Sequence, residues 1–350
     1  MGLSLGTGGP TEEQDGVMTD ASPLPSFDDL RERAVVVALP LRVRFRGVDV
    51  REALLLEGPA GWTEFSPFVE YGDDEAATWL EASLDYGWRA TPEARRTEIM
   101  VNATIPAVPA ASVPDVLARF PGCRTAKVKV AEAGHSLADD VERVRAVRHQ
   151  LGAEGRVRVD ANGGWNVDEA EHAVHALAEF DLEYVEQPCA SVAELAQLRE
   201  RIGYLDIPIA ADESVRKAED PVAVARAGAA DLLVIKAQPL GGIRRALDIV
   251  ERAGLPVVVS SALDTAIGIS MGAALAAALP DLDYDCGLGT SALFETDVAA
   301  LDGSDGAIAV GRVRPDADAL ERLAAPPERR DWWMARLERS LAALSAREDR

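Results

Sequence analysis

Three carboxylates recur at a constant interval along this chain: Asp160, Glu186 and Asp212, each 26 positions from the next. Lysines bracket the set, with Lys127 and Lys129 before it and Lys236 a further 24 positions after Asp212. Carboxylates gathered in one low-dielectric pocket repel strongly. A bound dication resolves that repulsion, and hard oxygen ligands suit Mg²⁺, or Mn²⁺ as a substitute. A lysine takes a proton from carbon only when neutral, so its pKa must fall from about 10.4 towards roughly 7–8. A fall of three units is about 4 kcal/mol of differential interaction. For Lys129, both Lys127 and the dication push in that direction. The chemistry such a set could perform is removal of a proton next to a carboxylate, with the cation stabilising the enediolate as charge develops. A general base supplies about 10²–10⁴-fold, so the cation must carry the larger share of a typical enzymatic acceleration.

The elements that must position these residues are short β-like runs alternating with helical stretches from residue 98 onward. The runs cover 99–108, 126–130, 156–162, 182–188, 207–214, 232–239, 256–263 and 282–290. The interval persists beyond the lysine, with 25 positions from Lys236 to Ser261 and 26 from Ser261 to Gly287. A βα unit of that length repeated eight times closes a (β/α)8 TIM-like barrel, whose C-terminal strand ends face a common mouth. A doubly wound open sheet would carry one Gly-rich phosphate turn, and no GxGxxG is present. Lys127 and Lys129 lie two apart on the second strand and share a face. Strands two and six stand opposite in a ring of eight, which sets Lys129 and Lys236 across the mouth from each other.

Two β-like runs between Arg33 and Glu57, separated near Gly47, precede a helical stretch over 74–94. They predict a small α+β capping domain over 27–97, with the barrel over 98–298. Residues 1–26, rich in Gly, Pro and Thr, read as a disordered tail. GAIAVGRVRP and the helical stretch containing Trp332 and Trp333 read as a C-terminal segment, 299–350, returning to the small domain. The net charge of −23 argues against nucleic acid and anionic membrane surfaces as partners. Three scattered cysteines (Cys123, Cys189, Cys286) give no zinc or redox motif and suit a reducing cytoplasm. No apolar run is long enough for a membrane span, and no signal-peptide pattern opens the chain. The expected partner is a small carboxylate substrate, and the acidic surface is consistent with a monomer.

Together, the Lys-x-Lys at 127–129, DAN at 160–162, EQP at 186–188, DES at 212–214 and Lys236 resemble the enolase superfamily. They are most similar to its muconate-lactonizing-like branch, and GWTEFSP at 61–67 resembles that branch's capping-domain segment. The four histidines (His135, His149, His172, His175) match no strand end, which disfavours the branch using a His–Asp dyad; all four read as helix-surface residues. Narrower motifs (LPLRVRFRG, RVRVDANGGW, SSALDTAIG, DYDCGLGT) resemble dehydratases of menaquinone biosynthesis within the family. The resemblance implies Mg²⁺ on Asp160, Glu186 and Asp212, and a syn dehydration of a hydroxylated cyclohexadiene carboxylate bearing a succinyl tail. Lys129 would act as base and then acid, and Lys236 would stabilise the enediolate from the opposite face. Lys127 would tune Lys129 and contact the substrate carboxylate. Asn162 and Glu213 would orient ligands, and Arg158, on the face of Asp160, would brace the carboxylates. Ser260, Ser261 and the stretch Gly287, Leu288, Gly289 and Thr290 would contact the succinyl tail. Phe45–Arg46–Gly47 would form a loop over the mouth. An N-succinylamino acid racemase or dipeptide epimerase of the same family is the alternative, with Asp283 and Asp285 as a superficial DxD match.

Overall fold

The structure is a computed structural model that describes residues 24–217 and 220–348. Most of the expected tail, residues 1–23, lies outside the described residues. Ser26 begins a short helix, α1 (Phe27–Glu32), through a capping box with Asp29. Strands β1 (Ala34–Phe45), β2 (Val48–Gly58) and β3 (Gly61–Phe65) form an antiparallel meander, turning at Arg46–Gly47, where both residues have positive φ. Helix α2 (Asp73–Trp88) packs on this sheet and ends six residues before the expected boundary at Ala94.

A short strand β4 (Glu98–Met100) leads into the barrel. Its staves are β5 (Ala103–Ile105), β6 (Thr125–Lys129), β7 (Arg156–Asp160), β8 (Leu182–Glu186), β9 (Ile209–Ala211), β10 (Leu232–Ile235) and β11 (Val257–Val259), in sequential parallel order. Between them run α3 (Val113–Leu117), α4 (Leu137–Leu151), α5 (Val167–Leu177), α6 (Val192–Ile202), the short α7 (Glu213–Arg216) and α8 (Ala223–Arg226), then α9 (Ile243–Ala253). Helix α10 (Ala266–Ala278) follows β11 and is buried on every side. Helices α4, α5 and α6 each start at a capping box, Ser136/Asp139, Asn166/Glu169 and Ser191/Glu194. Each cap contributes about 1 kcal/mol and fixes where a mouth loop stops.

The eighth stave differs from the continuous strand expected over 282–290. Cys286 makes a parallel bridge to Val101 and Gly287 one to Ser260, so two residues close the ring between β5 and β11. A Cβ on Gly287 would collide with the Ser260 hydroxyl, so only glycine lets the stave approach this closely.

The C-terminal segment divides. Strand β12 (Ala307–Ala309) pairs antiparallel with β4 beside the barrel, not with the small domain as expected. After α11 (Ala317–Arg322), helix α12 (Pro327–Glu348) packs on α2 and completes the small domain. Trp333 is fully buried there and donates to Glu52 at 2.8 Å. Apolar side chains on the outward faces of the staves, such as Val128, Val159 and Val185, join the core beneath the helices. Tyr184, Ala210, Leu232, Val234 and Val258 form a separate apolar layer, the filled interior such barrels require.

Candidate active site

Strand register builds the site. Lys129, Asp160 and Glu186 are direct neighbours across β6, β7 and β8, and Glu186 pairs with Ala210 two residues before Asp212. One layer below, Lys127 pairs with Arg158, and Arg158 with Tyr184. Lys127 reaches up from that layer, placing Nζ 3.0 Å from Asp160 Oδ2 and 2.8 and 2.9 Å from the two oxygens of Glu186. Lys129 Nζ lies 2.6 Å from Asp160 Oδ2 and 2.5 Å from Asn162 Oδ1. At the other end of the arc, Lys236 Nζ donates to Asp212 Oδ2 at 2.5 Å. The three carboxylates therefore form an arc with Lys129 at one end and Lys236 at the other.

Burial and charge set the protonation tendencies. Burial opposes charge on Asp160, but Lys127 and Lys129 outweigh it and hold the carboxyl well below the usual range. Asp212 is likewise held down by Lys236 and Arg216 against its burial. Glu186 goes the other way: burial, then the neighbouring charge of Asp160, pushes it up to about 7. Burial also opposes charge on Lys127, yet Asp160 and Glu186 hold its pKa well above the ordinary lysine value. Lys236 is lowered, chiefly by burial and further by Arg216 and Lys127. Among the described residues no three acidic, imidazole or thiol groups are drawn into a ready-made metal cage. The donor set nonetheless fits a hard dication: three buried carboxylates on adjacent staves, with no sulfur among them and one hard to ionise without added positive charge.

The remaining expected residues divide. Asn162 accepts from Lys129 and donates to Glu213 Oε1 at 3.2 Å, so both lie at the mouth. Arg158 does not brace the carboxylates. Two positions along a strand is about 6.6 Å, and its guanidinium stays a layer lower, bonded to Glu183, to Asn102 Oδ1 at 3.1 Å and to the Asp285 carbonyl at 2.6 Å. Asp285 itself accepts from Thr125 at 2.6 Å, at the start of β6, which puts the DxD at the end of the barrel opposite the mouth. Ser261 Oγ is 2.8 Å from the Gly287 carbonyl and 2.7 Å from Thr290 Oγ1, so this pair ties the eighth stave to the seventh. Ser260 packs against Gly287, and Gly289 packs close to the Asn102 carbonyl. Leu288 is fully buried against Gly272 of α10 and turns away from the mouth.

Sequence reasoning missed the groups that hold the ligand loops. Gln187 Oε1 accepts from the backbone N–H of Asp212 (3.0 Å) and Ser214 (3.2 Å). Arg216 donates to Asp212 Oδ1 at 3.1 Å. Ala131, Asn162, Gln187 and Leu263 all hold positive φ just past their strands, a costly conformation for residues other than glycine that clusters at functional sites. Gln187, the polar residue directly after Glu186, was the available signal. His135 lies in the loop after β6 rather than on a helix; the other three histidines are exposed on α4 and α5.

The small domain covers the mouth. A cavity of about 600 Å³ is lined by Lys129, Asn162, Glu213 and Lys217 from the barrel and by Phe45, Arg46 and Gly47 from the β1–β2 turn. Lys129 Nζ is 5.6 Å from the Phe45 ring centroid. Residues 115–316 match the family model for the enolase C-terminal domain-like fold, and residues 36–87 match the enolase N-terminal domain-like model. The chain belongs to the enolase superfamily. An o-succinylbenzoate synthase of Mycobacterium bovis (strain BCG / Pasteur 1173P2) is 58% identical over 323 residues, 92% of this chain and 97% of that protein. One of Mycolicibacterium smegmatis is 58% identical over 316 residues, 90% of this chain and 97% of its own. Among solved structures, the muconate lactonizing enzyme from Pseudomonas putida superposes with a TM-score of 0.70 at 20% identity, covering 83% of this chain and 98% of that one. That superfamily likeness in fold accounts for the barrel and its cap.

Proposed function

We propose that this chain carries out the o-succinylbenzoate synthase reaction, the syn dehydration of 2-succinyl-6-hydroxy-2,4-cyclohexadiene-1-carboxylate to 2-succinylbenzoate in menaquinone biosynthesis. The observation that carries the reading is the carboxylate arc between Lys129 and Lys236, in a chain 58% identical to named o-succinylbenzoate synthases. Asp160, Glu186 and Asp212 would hold Mg²⁺, which, when bound, stabilises the charge gathering on the substrate carboxylate as the α-proton leaves. Lys129, as the base, takes that proton onto Nζ. The electron pair of the broken C–H bond completes the aromatic ring as the C–O bond breaks. The departing hydroxyl takes the proton back from Lys129 and leaves as water, so the lysine ends as it began. Lys236, on the far side of the arc, opposes the negative charge on the ring from the other face. Lys127, held charged by two carboxylates, is a fixed cation beneath the site and is not available as a base.

The test is dehydration of that cyclohexadiene carboxylate, run beside α-proton exchange of N-succinyl amino acids in D₂O. Turnover in the first assay that falls steeply in Lys129→Ala and Lys236→Ala is expected. Exchange without dehydration would favour the racemase alternative. The dipeptide epimerase alternative loses its main support, because Asp283 and Asp285 lead into the eighth stave at the far end of the barrel.

A further inference from the structure

The small domain reaches Asp212 through two side chains. Tyr71 precedes α2, and its hydroxyl accepts hydrogen bonds from Arg216 at 3.1 Å and from Arg46 at 3.0 Å. Arg216, on the short helix α7, donates to Asp212 Oδ1 at 3.1 Å and Glu213 Oε1 at 2.7 Å. Its side chain is 3% exposed, its donors taken up by Asp212, Glu213 and Tyr71. The other oxygen of Asp212 faces Lys236. Arg216 thus fixes which oxygen of Asp212 is turned into the arc, and Tyr71 fixes Arg216. The guanidinium is well suited to this, because its planar fork engages several acceptors at once in set directions.

We propose that Tyr71 and Arg216 are positioning residues, forming a strut by which the small domain holds Asp212 in the orientation a dication needs. The inference rests on the metal-site reading above. Charge alone leads to the opposite expectation: a guanidinium beside a dication repels it, so its removal would tighten binding. Orientation by a supporting group leads to weaker binding when that group is lost.

Mn²⁺ binding to the substrate-free chain, followed by electron paramagnetic resonance of the free ion, separates the two. Wild type binds one Mn²⁺, and Glu186→Gln abolishes that binding. Arg216→Lys keeps the charge but loses the fork, and is expected to bind about tenfold more weakly. Tyr71→Phe keeps both the charge and the ring packed on Phe68 and Trp79; about a threefold loss is expected, with an unchanged melting temperature. Arg216→Met weakens binding if orientation dominates and tightens it if charge does. Wild-type affinity in folded Arg216→Lys and Tyr71→Phe, or tighter binding in Arg216→Met, overturns the strut and leaves the metal site standing. A wild-type chain that binds no Mn²⁺ removes the metal-site reading and the strut together.

Discussion

Two buried acidic clusters in this chain are built on opposite plans. At the mouth, Asp160, Glu186 and Asp212 face lysine ammonium groups carried on long, flexible stems. At the start of α10, Glu64, Asp264 and Asp297 face backbone amides and short neutral side chains. Glu64 accepts from the backbone N–H of Thr265 (3.0 Å) and Gly268 (3.1 Å), and from Thr265 Oγ1, Ser66 Oγ and Gln238 Nε2. Asp297 accepts from the Ala266 N–H, and Asp264 from Gln238 and the Ala262 N–H. Arg51, donating to the Leu263 carbonyl and to Ser66, adds one fixed cation. Amides at a helix start are part of the backbone and stay beside a carboxylate. Lysines neutralise it provisionally, and can be exchanged for another cation or for a substrate. The first plan suits chemistry; the second fastens the small domain to the barrel.

That contrast can be broken or sharpened by experiment. Chelation of divalent ions should reduce turnover to background while leaving the far-UV circular dichroism unchanged, and Mg²⁺ should restore it; unfolding on chelation would erase the distinction between the clusters. Lys129→Ala is expected to lose about 10⁴-fold in kcat, as the proposed double role of base and acid requires, with the melting temperature held. Lys236→Ala should lose about 10²–10³-fold in kcat. Glu64→Ala should show the reverse pattern, costing about 2–4 kcal/mol in urea unfolding because several buried donors lose their acceptor, with kcat of the folded fraction largely retained. A collapse of kcat without loss of stability in Glu64→Ala would place that residue in the mouth's chemistry.

The smallest effect is a pH dependence. Asp297 is pushed up to about 7, by burial first, against the pull of the Ala266 and Val298 N–H groups. A carboxyl with a raised folded pKa binds its proton more tightly in the native state. Its contribution to stability is full below the unfolded value near 4 and is lost as pH rises through about 7. Asp297→Asn retains an acceptor at the oxygen that meets Ala266 and Val298. It should therefore flatten the loss of stability between pH 4 and 8, measured as urea midpoints across that range.

The mouth was legible because each of its residues ends a strand, and the 26-residue interval from Asp160 to Glu186 to Asp212 is the length of one structural unit. The fastening cluster was not, because its partners are distant in sequence: Glu64 and Thr265 stand 201 positions apart. Arg158 shows a subtler limit. Alternation along β7 correctly put it on the face of Asp160, but not at its height, and one layer separates a group in the mouth from a group sealed below it. The eighth stave was recognised from its motif and spacing but overestimated in length, since DYDCGLGT carries little of the β-branched content that marks a full strand.

The brevity of that eighth stave bears on how the protein is made. The ring stays open, with the edges of β5 and β11 unpaired, until residues 286 and 287 have emerged from the ribosome. The small domain waits longer still, because α12 supplies Trp333 to its core. Neither unit can therefore be finished and set aside during synthesis, as the first domain of a two-domain chain usually is. Until then the chain carries bare sheet edges and an unfinished apolar core.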